Sequence, residues 1–424
     1  MADRKVSSMK YNIVICNFAL TYLILLAVFT GLSTLAYMIP NELIVENVKV
    51  SERMLKDEGL SRAVAGIPFY KYDTFTDALM LNITLAADDR SAFEGAMLNP
   101  YYYGHDEVIA HYDIGLMLSN GQKDVLVLDS YGRYWQGYLL PLRTLSMWMS
   151  LRGIRILNYI LLTLLFLISC KVIYRAVGWR VTLIYVLSML FVNFPMIPGS
   201  LQFSSCFYIM TISIILLLSQ PIFVRNTACT SLAFFVIGAV TSYFDFLTVP
   251  VVTLGIPLAL LLFSGRTEFR SKQKAVVVLS LCWFAGYALL WASKWMLVML
   301  TTDYDMLGNA VSAAGYRMSH ELPSFTAKFY ERYLSLGIIG VVVIAALIIF
   351  WIRKYGHFRS SGYLLAIALL TPLWYAVLPN HSIVHFWFTW RALMVPFFCC
   401  AVFMMTTYRQ SKTGLKSSSA YEKL

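Results

Sequence analysis

Charge is scarce in this chain. Asp, Glu, Lys and Arg together make up 13% of it, against 59% hydrophobic residues. A water-soluble fold of 424 residues cannot bury that much apolar surface, so lipid must cover much of the exterior. Cysteine is absent from the whole stretch 39–151, and all seven cysteines (16, 170, 206, 229, 282, 399 and 400) fall in apolar runs. A disulfide-held outer module is thereby excluded, and the adjacent Cys399 and Cys400 read as small packing residues. A Gly-rich phosphate loop, a Gly-x-Ser-x-Gly elbow and a Cys-x-x-Cys pair are also missing, which argues against a nucleotide-driven cytoplasmic reaction. No internal repeat or low-complexity linker is evident, and only the tail after Thr413 reads as disordered.

What is abundant is apolar sequence in runs near the length of about 20 residues that crosses a bilayer as a helix. They fall at 12–38, 154–175, 181–197, 201–220, 228–244, 247–263, 275–299, 334–352, 362–378 and 390–408. The fold class expected is all-α: a polytopic integral membrane protein of about ten transmembrane helices with a helical external domain in the first outer loop. The parts are a cytoplasmic N-terminus and first span (1–38), the external domain (39–151), a bundle (152–409) with a second external loop at 301–333, and a cytoplasmic tail (410–424). Leu35-Ala36-Tyr37-Met38 is a poor cleavage site, so the first span reads as a retained anchor.

Arg4, Lys5 and Lys10 precede the first span, and Lys171, Arg175, Arg180, Arg225, Arg266, Arg270, Lys272, Lys274, Arg353, Lys354, Arg359, Arg409, Lys412, Lys416 and Lys423 follow in alternate loops. With ten spans all lie on one side, which the positive-inside rule makes cytoplasmic, along with both termini. The net charge of +11 therefore needs no nucleic-acid partner, although the same clusters suit anionic membrane lipids. The expected location is a bacterial inner (plasma) membrane.

The acids are distributed differently: 15 of the 23 fall in the stretch 39–151. A carboxylate in the apolar layer costs several kcal/mol, so water-facing chemistry is concentrated in this segment. In 41–58, Ile44, Val48 and Leu55 trace one apolar face, and Gly59 supplies a stop. A second aromatic-rich face runs through Trp135, Tyr138, Leu142, Leu145, Trp148 and Met149, with the Trp residues suited to the lipid interface. Between them, Thr74-x-x-Asp77 and Ser91-x-x-Glu94 open two short helices as capping boxes.

Two interfacial helices flanking a compact segment directly after span one resemble the GT-C superfamily of membrane glycosyltransferases, in architecture and over the whole chain. The resemblance implies transfer of a sugar from a polyprenyl-phosphate-linked donor to a glycan or lipid acceptor on the extracytoplasmic face. It also implies a catalytic acid in the first external loop; the matching positions are Asp73 or Asp77, whereas Glu42 and Glu46 stand nearer the end of span one.

The chemistry needs a carboxylate to take the proton of the attacking hydroxyl and cations to hold the departing phosphate. Asp73 stands free of the expected capping box and is the first choice of base, with Asp77 second. Arg391, among Trp and Phe, suits a two-oxygen phosphate clamp, and Lys294, late in the seventh span, is a second cation at the same side. His381, His385 and Asp245 are expected to shape the pocket, and Arg133 to contact substrate. The four-residue spacing of His381 and His385 permits a metal, but no companion glutamate follows, and no cofactor is indicated. His105, Asp106, Glu107, Asp303, Asp305, Arg317, His320, Glu321 and Arg332 are further polar groups on that side, and Asn82 and Asn380 begin short glycosylation triplets. Alternatives are a secondary transporter or lipid flippase, with Pro195, Pro198, Pro250 and Pro257 marking helix breaks, and an O-antigen-type ligase or polymerase.

Overall fold

The computed structural model describes residues 2–59, 72–86, 90–104, 114–115, 118, 126–223, 226–319 and 358–421. Its helices are α1 (Ala2–Tyr37), α2 (Val45–Glu58), α3 (Thr74–Leu85), α4 (Ala92–Leu98), α5 (Leu139–Ser146), α6 (Leu151–Val177), α7 (Trp179–Phe191), α8 (Leu201–Ser219) and α9 (Thr227–Phe244). There follow α10 (Val251–Ser264), α11 (Lys272–Thr301), α12 (Met306–Met318), α13 (Phe358–Ala368), α14 (Leu370–Val377), α15 (Pro379–Val384), α16 (Phe386–Thr389) and α17 (Met394–Tyr421). Six stretches are long and apolar enough to cross a bilayer: Ile15–Tyr37, Leu151–Val177, Leu201–Ser219, Thr227–Phe244, Lys272–Thr301 and Phe386–Thr407. The chain is a predominantly helical integral membrane protein.

Six is fewer than the ten expected. Three further apolar helices, Trp179–Phe191, Val251–Ser264 and Ser361–Val377, are shorter, and the run at 334–352 lies outside the described residues. Helices of 13 and 14 residues reach only about 20 Å, against an apolar layer of about 30 Å. Local chemistry shortens them. Pro195 and Pro198 turn Phe194–Gly199 into a 3-10 segment after α7. Pro250 opens α10 and Gly265, at φ 68°, closes it.

The stretch 39–151, expected to be helical, also carries a β-hairpin. Strands β1 (Pro100–Gly104) and β2 (Leu126–Ser130) pair antiparallel, from Pro100 opposite Ser130 to Gly104 opposite Leu126. Three tyrosines in a row and a Leu-Val-Leu run favour a pleated, half-buried ribbon over a helix. Asn99, left-handed at φ 45°, ends α4 and turns the chain into β1.

Helix α3 is the core of this segment, and ten of its twelve residues are buried. Asn82 fixes it to the hairpin by donating to the Tyr102 carbonyl (2.7 Å) and accepting from the Tyr102 amide (2.9 Å). At its C-terminal end the Arg143 guanidinium donates to the carbonyls of Thr84 and Ile39 and to Asn41 Oδ1. Asn82 is therefore occupied in the interior and is no glycosylation acceptor in the folded chain; Asn380 is likewise buried and donates to the Tyr316 carbonyl.

The amphipathic helix over 41–58 was expected to lie on the membrane; instead its apolar face, Ile44, Val48 and Leu55, packs in one protein cluster with Ala78, Leu81, Leu142 and Leu151. Gly59, at φ 69°, ends the helix. Trp135 departs from its expected place at the lipid interface. It is fully buried between Phe29 and Tyr243, and its indole donates to the Leu290 carbonyl (2.8 Å); Trp148, by contrast, is 77% exposed.

Helices α9 and α11 cross in backbone contact. A Cβ on Gly238 would lie 1.9 Å from the Trp283 carbonyl oxygen, and one on Gly286 2.0 Å from that of Phe235. Gly238→Ala is expected to destabilise by about 1–3 kcal/mol, because this contact offers only rigid backbone to push against. Gly31→Ala, which meets nothing within 4 Å, is expected to be neutral. Thermal unfolding in detergent checks the pair; equal melting temperatures for both variants would contradict the close crossing.

Candidate functional site

The site is organised by the first turn of α3, where the capping expected of Thr74 and Asp77 falls to Asp73. Asp73, not Thr74, is the N-cap: its Oδ1 accepts from the Thr76 amide (3.0 Å) and its Oδ2 from the Thr76 hydroxyl (2.7 Å). A residue just before the first helical turn is placed to satisfy those orphan amides. Asp77 then has nothing to cap in α3. Its Oδ2 accepts from Arg155 Nε (3.1 Å) and Nη2 (2.8 Å), and its Oδ1 from the Leu201 amide (2.9 Å), at the first turn of α8. Arg155 Nη1 also donates to Glu58 Oε2 (2.8 Å), so one buried guanidinium joins α2, α3 and α6.

Asp73 and Arg391 meet through Trp387. The Trp387 indole donates to Asp73 Oδ2 (3.3 Å), and the Trp387 carbonyl accepts from Arg391 Nη1 (2.9 Å). The Asp73 amide donates to Ser200 Oγ (2.8 Å), anchoring α3 to the start of α8. Arg391 is buried, its guanidinium carbon 4.0 Å from the centre of the Phe203 ring and 5.2 Å from that of Trp390. Burial pushes the Asp73 carboxyl up, against the lowering pull of the Thr76 and Trp387 hydrogen bonds and the Arg391 charge. Burial likewise pushes Asp77 up, to about 6, although Arg155 opposes it.

The same broken segment, 379–391, carries the histidines. Asp245 closes the turn between α9 and α10 by accepting from the amides of Leu247 (3.0 Å) and Thr248 (2.9 Å) and from the Thr248 hydroxyl. That turn holds Leu247 at φ 70° and aims its carbonyl at His381 Nε2 (2.8 Å). The His381 and His385 ring centres are 4.7 Å apart, and His385 lies edge-on to Trp387 at 5.1 Å. Trp387 therefore touches Asp73, Arg391 and His385 together. Burial, with help from His385 and Arg317, pulls His381 down to about 3, so it is neutral at pH 7. A carbonyl only accepts, so His381 Nε2 carries the proton and Nδ1 the lone pair.

Among the described residues, several polar atoms in this region are buried without a hydrogen-bond partner: Thr74 Oγ1, Arg391 Nε and the Nδ1 atoms of His381 and His385. Each unsatisfied buried group costs about 1–3 kcal/mol, which favours a polar ligand there.

Two of the expected cations are held elsewhere. Lys294 Nζ donates to the Ala96 carbonyl (2.5 Å), in the last turn of α4, and lies 5.3 Å from the Trp135 ring centre. A helix end leaves carbonyls without donors, and Lys294 serves one of them. Arg133 donates to Asn309 Oδ1 and lies over Tyr131, and its carbonyl accepts from the Trp291 (2.5 Å) and Trp295 (3.0 Å) indoles. No hydrogen bond or ion pair joins either to Asp73 or Arg391 among the described residues.

Glu46 pairs with Lys49 on the surface, Asp305 caps α12 through the Gly308 amide, and Arg317 donates to the Tyr134 hydroxyl (2.8 Å). His105, Asp106, Glu107, His320, Glu321 and Arg332 lie outside the described residues. Sequence reasoning missed Arg155, Glu58 and Trp387. Arg155 carried a readable signal, because it is an ionisable residue inside an apolar run, as Lys294 is.

Two cavities flank α6. One is an apolar groove of about 480 Å³ that opens between α5, α6, α8 and α9, with Asn158, Ser204 and Tyr208 as its polar floor and Leu201 at one end. The other, about 640 Å³ and polar, is lined by Asp57, Glu58, Tyr72, Arg152, Arg155 and Tyr159 among others. Among the described residues, no group of three or more His, Cys, Asp or Glu side chains is placed to hold a metal. In comparisons with protein-family models, curated proteins and solved structures, the chain matches none.

His381 gives a pH signature. Its folded value lies below the unfolded value of about 6.5, so its contribution to stability is present above pH 6.5 and is lost as pH falls toward about 3. His381→Gln is expected to flatten that part of the stability profile relative to the unsubstituted chain, measured by thermal melts from pH 7 to 4. Parallel profiles would contradict a buried neutral imidazole.

Proposed function

We propose that this protein is a membrane glycosyltransferase of GT-C type, moving a sugar from a polyprenyl-phosphate-linked donor to an acceptor at the extracytoplasmic face. The observation that carries this reading is the meeting of a buried carboxyl and a buried guanidinium, Asp73 and Arg391, on the two polar ends of Trp387. Asp73 takes the proton of the acceptor hydroxyl as its oxygen attacks the anomeric carbon. The bond from that carbon to the donor phosphate oxygen breaks, and Arg391 holds the phosphate that leaves. A raised Asp73 value makes it a stronger base than an exposed aspartate. Asp77, locked by Arg155 and the Leu201 amide, fits a positioning role better than a proton-accepting one.

In the same reading, the three short apolar helices and the run at 334–352 are spans. Ten crossings then put both termini in the cytoplasm and 39–151 outside, in a bacterial plasma membrane. The apolar groove suits a prenyl chain entering from the bilayer, since it opens on helices whose outer faces are lipid-like. Lys294 and Arg133 support the fold around the site, while His381, His385 and Asp245 shape its wall.

The groove also fits a lipid flippase, and one experiment separates the two. In vesicles supplied with polyprenyl-phosphate sugars, Asp73→Asn and Arg391→Ala are each expected to lower sugar transfer by 100-fold or more at normal expression, because a positioned general base contributes about 10²–10⁴. The acid limb of the transfer–pH profile is expected above the usual aspartate value near 4. Full transfer in both variants would sink this site, and lipid flux without transfer would select the flippase.

A further inference from the structure

The apolar groove between α5, α6, α8 and α9 has two unequal ends. Its lining follows α8 from Leu201 to Leu216, about 22 Å of helix. At the end beside α3 its walls are interior residues, for Met80, Leu142, Ile154, Asn158 and Ser204 are 2–8% exposed. At the far end Leu161, Ile212 and Leu216 are 41–44% exposed. A chain lying here is enclosed by protein over its first part and released into lipid beyond it. The volume sets how much is held: with each carbon and its hydrogens taking about the 30 Å³ of a liquid water, the cavity of about 480 Å³ holds roughly 16 carbons, or three isoprene units.

The enclosed end adjoins the first turn of α3, since Leu201 lines the groove and its amide donates to Asp77. Phe203, on which Arg391 lies, is in the same first turn of α8 as Leu201 but about 200° round the helix axis. A lipid whose phosphate is held by Arg391 therefore crosses the end of α8, about 10 Å wide, before it enters the groove. At about 5 Å for the four main-chain bonds of an isoprene unit, the crossing takes roughly two units.

Two hydroxyls in the groove choose between kinds of chain. Ser205 and Ser213 line it and make no hydrogen bond among the described residues, whereas Ser204 and Thr211 on the same helix bond to carbonyls. A saturated acyl chain offers such hydroxyls no acceptor. A polyprenyl chain brings a double bond in every unit, and its π electrons are a weak one.

We infer that the protein reads the donor lipid only as far as about its fifth isoprene unit, two units across α8 and three in the groove, with Ser205 and Ser213 selecting an unsaturated chain. The inference rests on the transferase reading and narrows its donor class. Any polyprenyl phosphate of about 25 carbons or more is a full ligand, and the rest of its chain lies in the bilayer.

Binding is measured on the full chain in lipid nanodiscs, as displacement of radiolabelled undecaprenyl phosphate by geranyl, geranylgeranyl, geranylfarnesyl, phytanyl and hexadecyl phosphates at matched mole fractions in the lipid. Geranyl phosphate is expected to bind about tenfold or more weakly than geranylfarnesyl phosphate, which should match undecaprenyl phosphate to within about twofold. Phytanyl phosphate, the saturated counterpart of geranylgeranyl phosphate, is expected to be about threefold weaker than it, and equal to it once Ser205→Ala and Ser213→Ala are combined. Ser205→Phe, which puts a ring into the enclosed part, is expected to abolish the dependence on length. Equal binding of geranyl and undecaprenyl phosphates, affinity that goes on rising beyond geranylfarnesyl phosphate, or a length series unchanged in Ser205→Phe would each overturn the inference. Hexadecyl or phytanyl phosphate binding as well as geranylgeranyl phosphate would overturn it too, by making the groove a general lipid site. The length series in a chain that transfers no sugar keeps the groove and removes the reaction; transfer that is indifferent to chain length from geranyl upward removes the groove alone.

Discussion

A buried guanidinium must be paired, and Arg155 meets that requirement by drawing three parts of the chain to one point. Glu58 comes from the end of α2 and Asp77 from the first turn of α3, while Arg155 itself projects from the start of α6. Removing one partner of such a group typically costs about 3–5 kcal/mol, because the other charge is left in a low-dielectric setting. The ion cluster therefore fixes where α3 begins relative to the membrane helices. Asp77 also accepts the Leu201 amide, and the Asp73 amide reaches Ser200, so the start of α8 is located by the same turn.

From that anchor the rest of the site follows by contact. With α3 held against α8, the cap carboxyl of Asp73 faces the chain that enters the last apolar stretch, where α15, α16 and a 3-10 turn replace a continuous helix. A broken helix exposes its carbonyls, and Arg391 takes that of Trp387 while the Trp387 indole takes the carboxylate. Among the described residues, buried polar atoms are left without partners on both sides of this junction. Stability alone disfavours such groups, and sites that bind polar ligands tolerate them.

Much of this was legible in the sequence and some was not, for identifiable reasons. Periodicity located the apolar face of α2 and its Gly59 stop, and the bounds of α3, because these depend on residues a few positions apart. The convergence of Asp73 with Arg391 was anticipated from which side of the membrane each was expected to face. Which aspartate caps α3 was not legible: the Thr74-x-x-Asp77 pattern is a valid local signal, but Arg155, 78 residues away, outcompetes it for Asp77. Lys294 and Trp135 failed for the same cause. Both looked like interfacial groups, and both are buried against partners, the Ala96 and Leu290 carbonyls, that no local pattern reveals. The hairpin was missed although its Tyr101-Tyr102-Tyr103 run and its Leu126-Val127-Leu128 stretch were in plain view.

The central claim is that Asp73 and Arg391 flank the leaving phosphate of a lipid-borne donor. The most direct test is an experimental map of the protein with a polyprenyl phosphate bound. The expected result is phosphate density within hydrogen-bonding reach of Arg391 and beside Trp387, with the chain running out along the apolar groove. Phosphate density at the basic, opposite face of the membrane, or beside Arg391 but walled off from Asp73, would contradict the account.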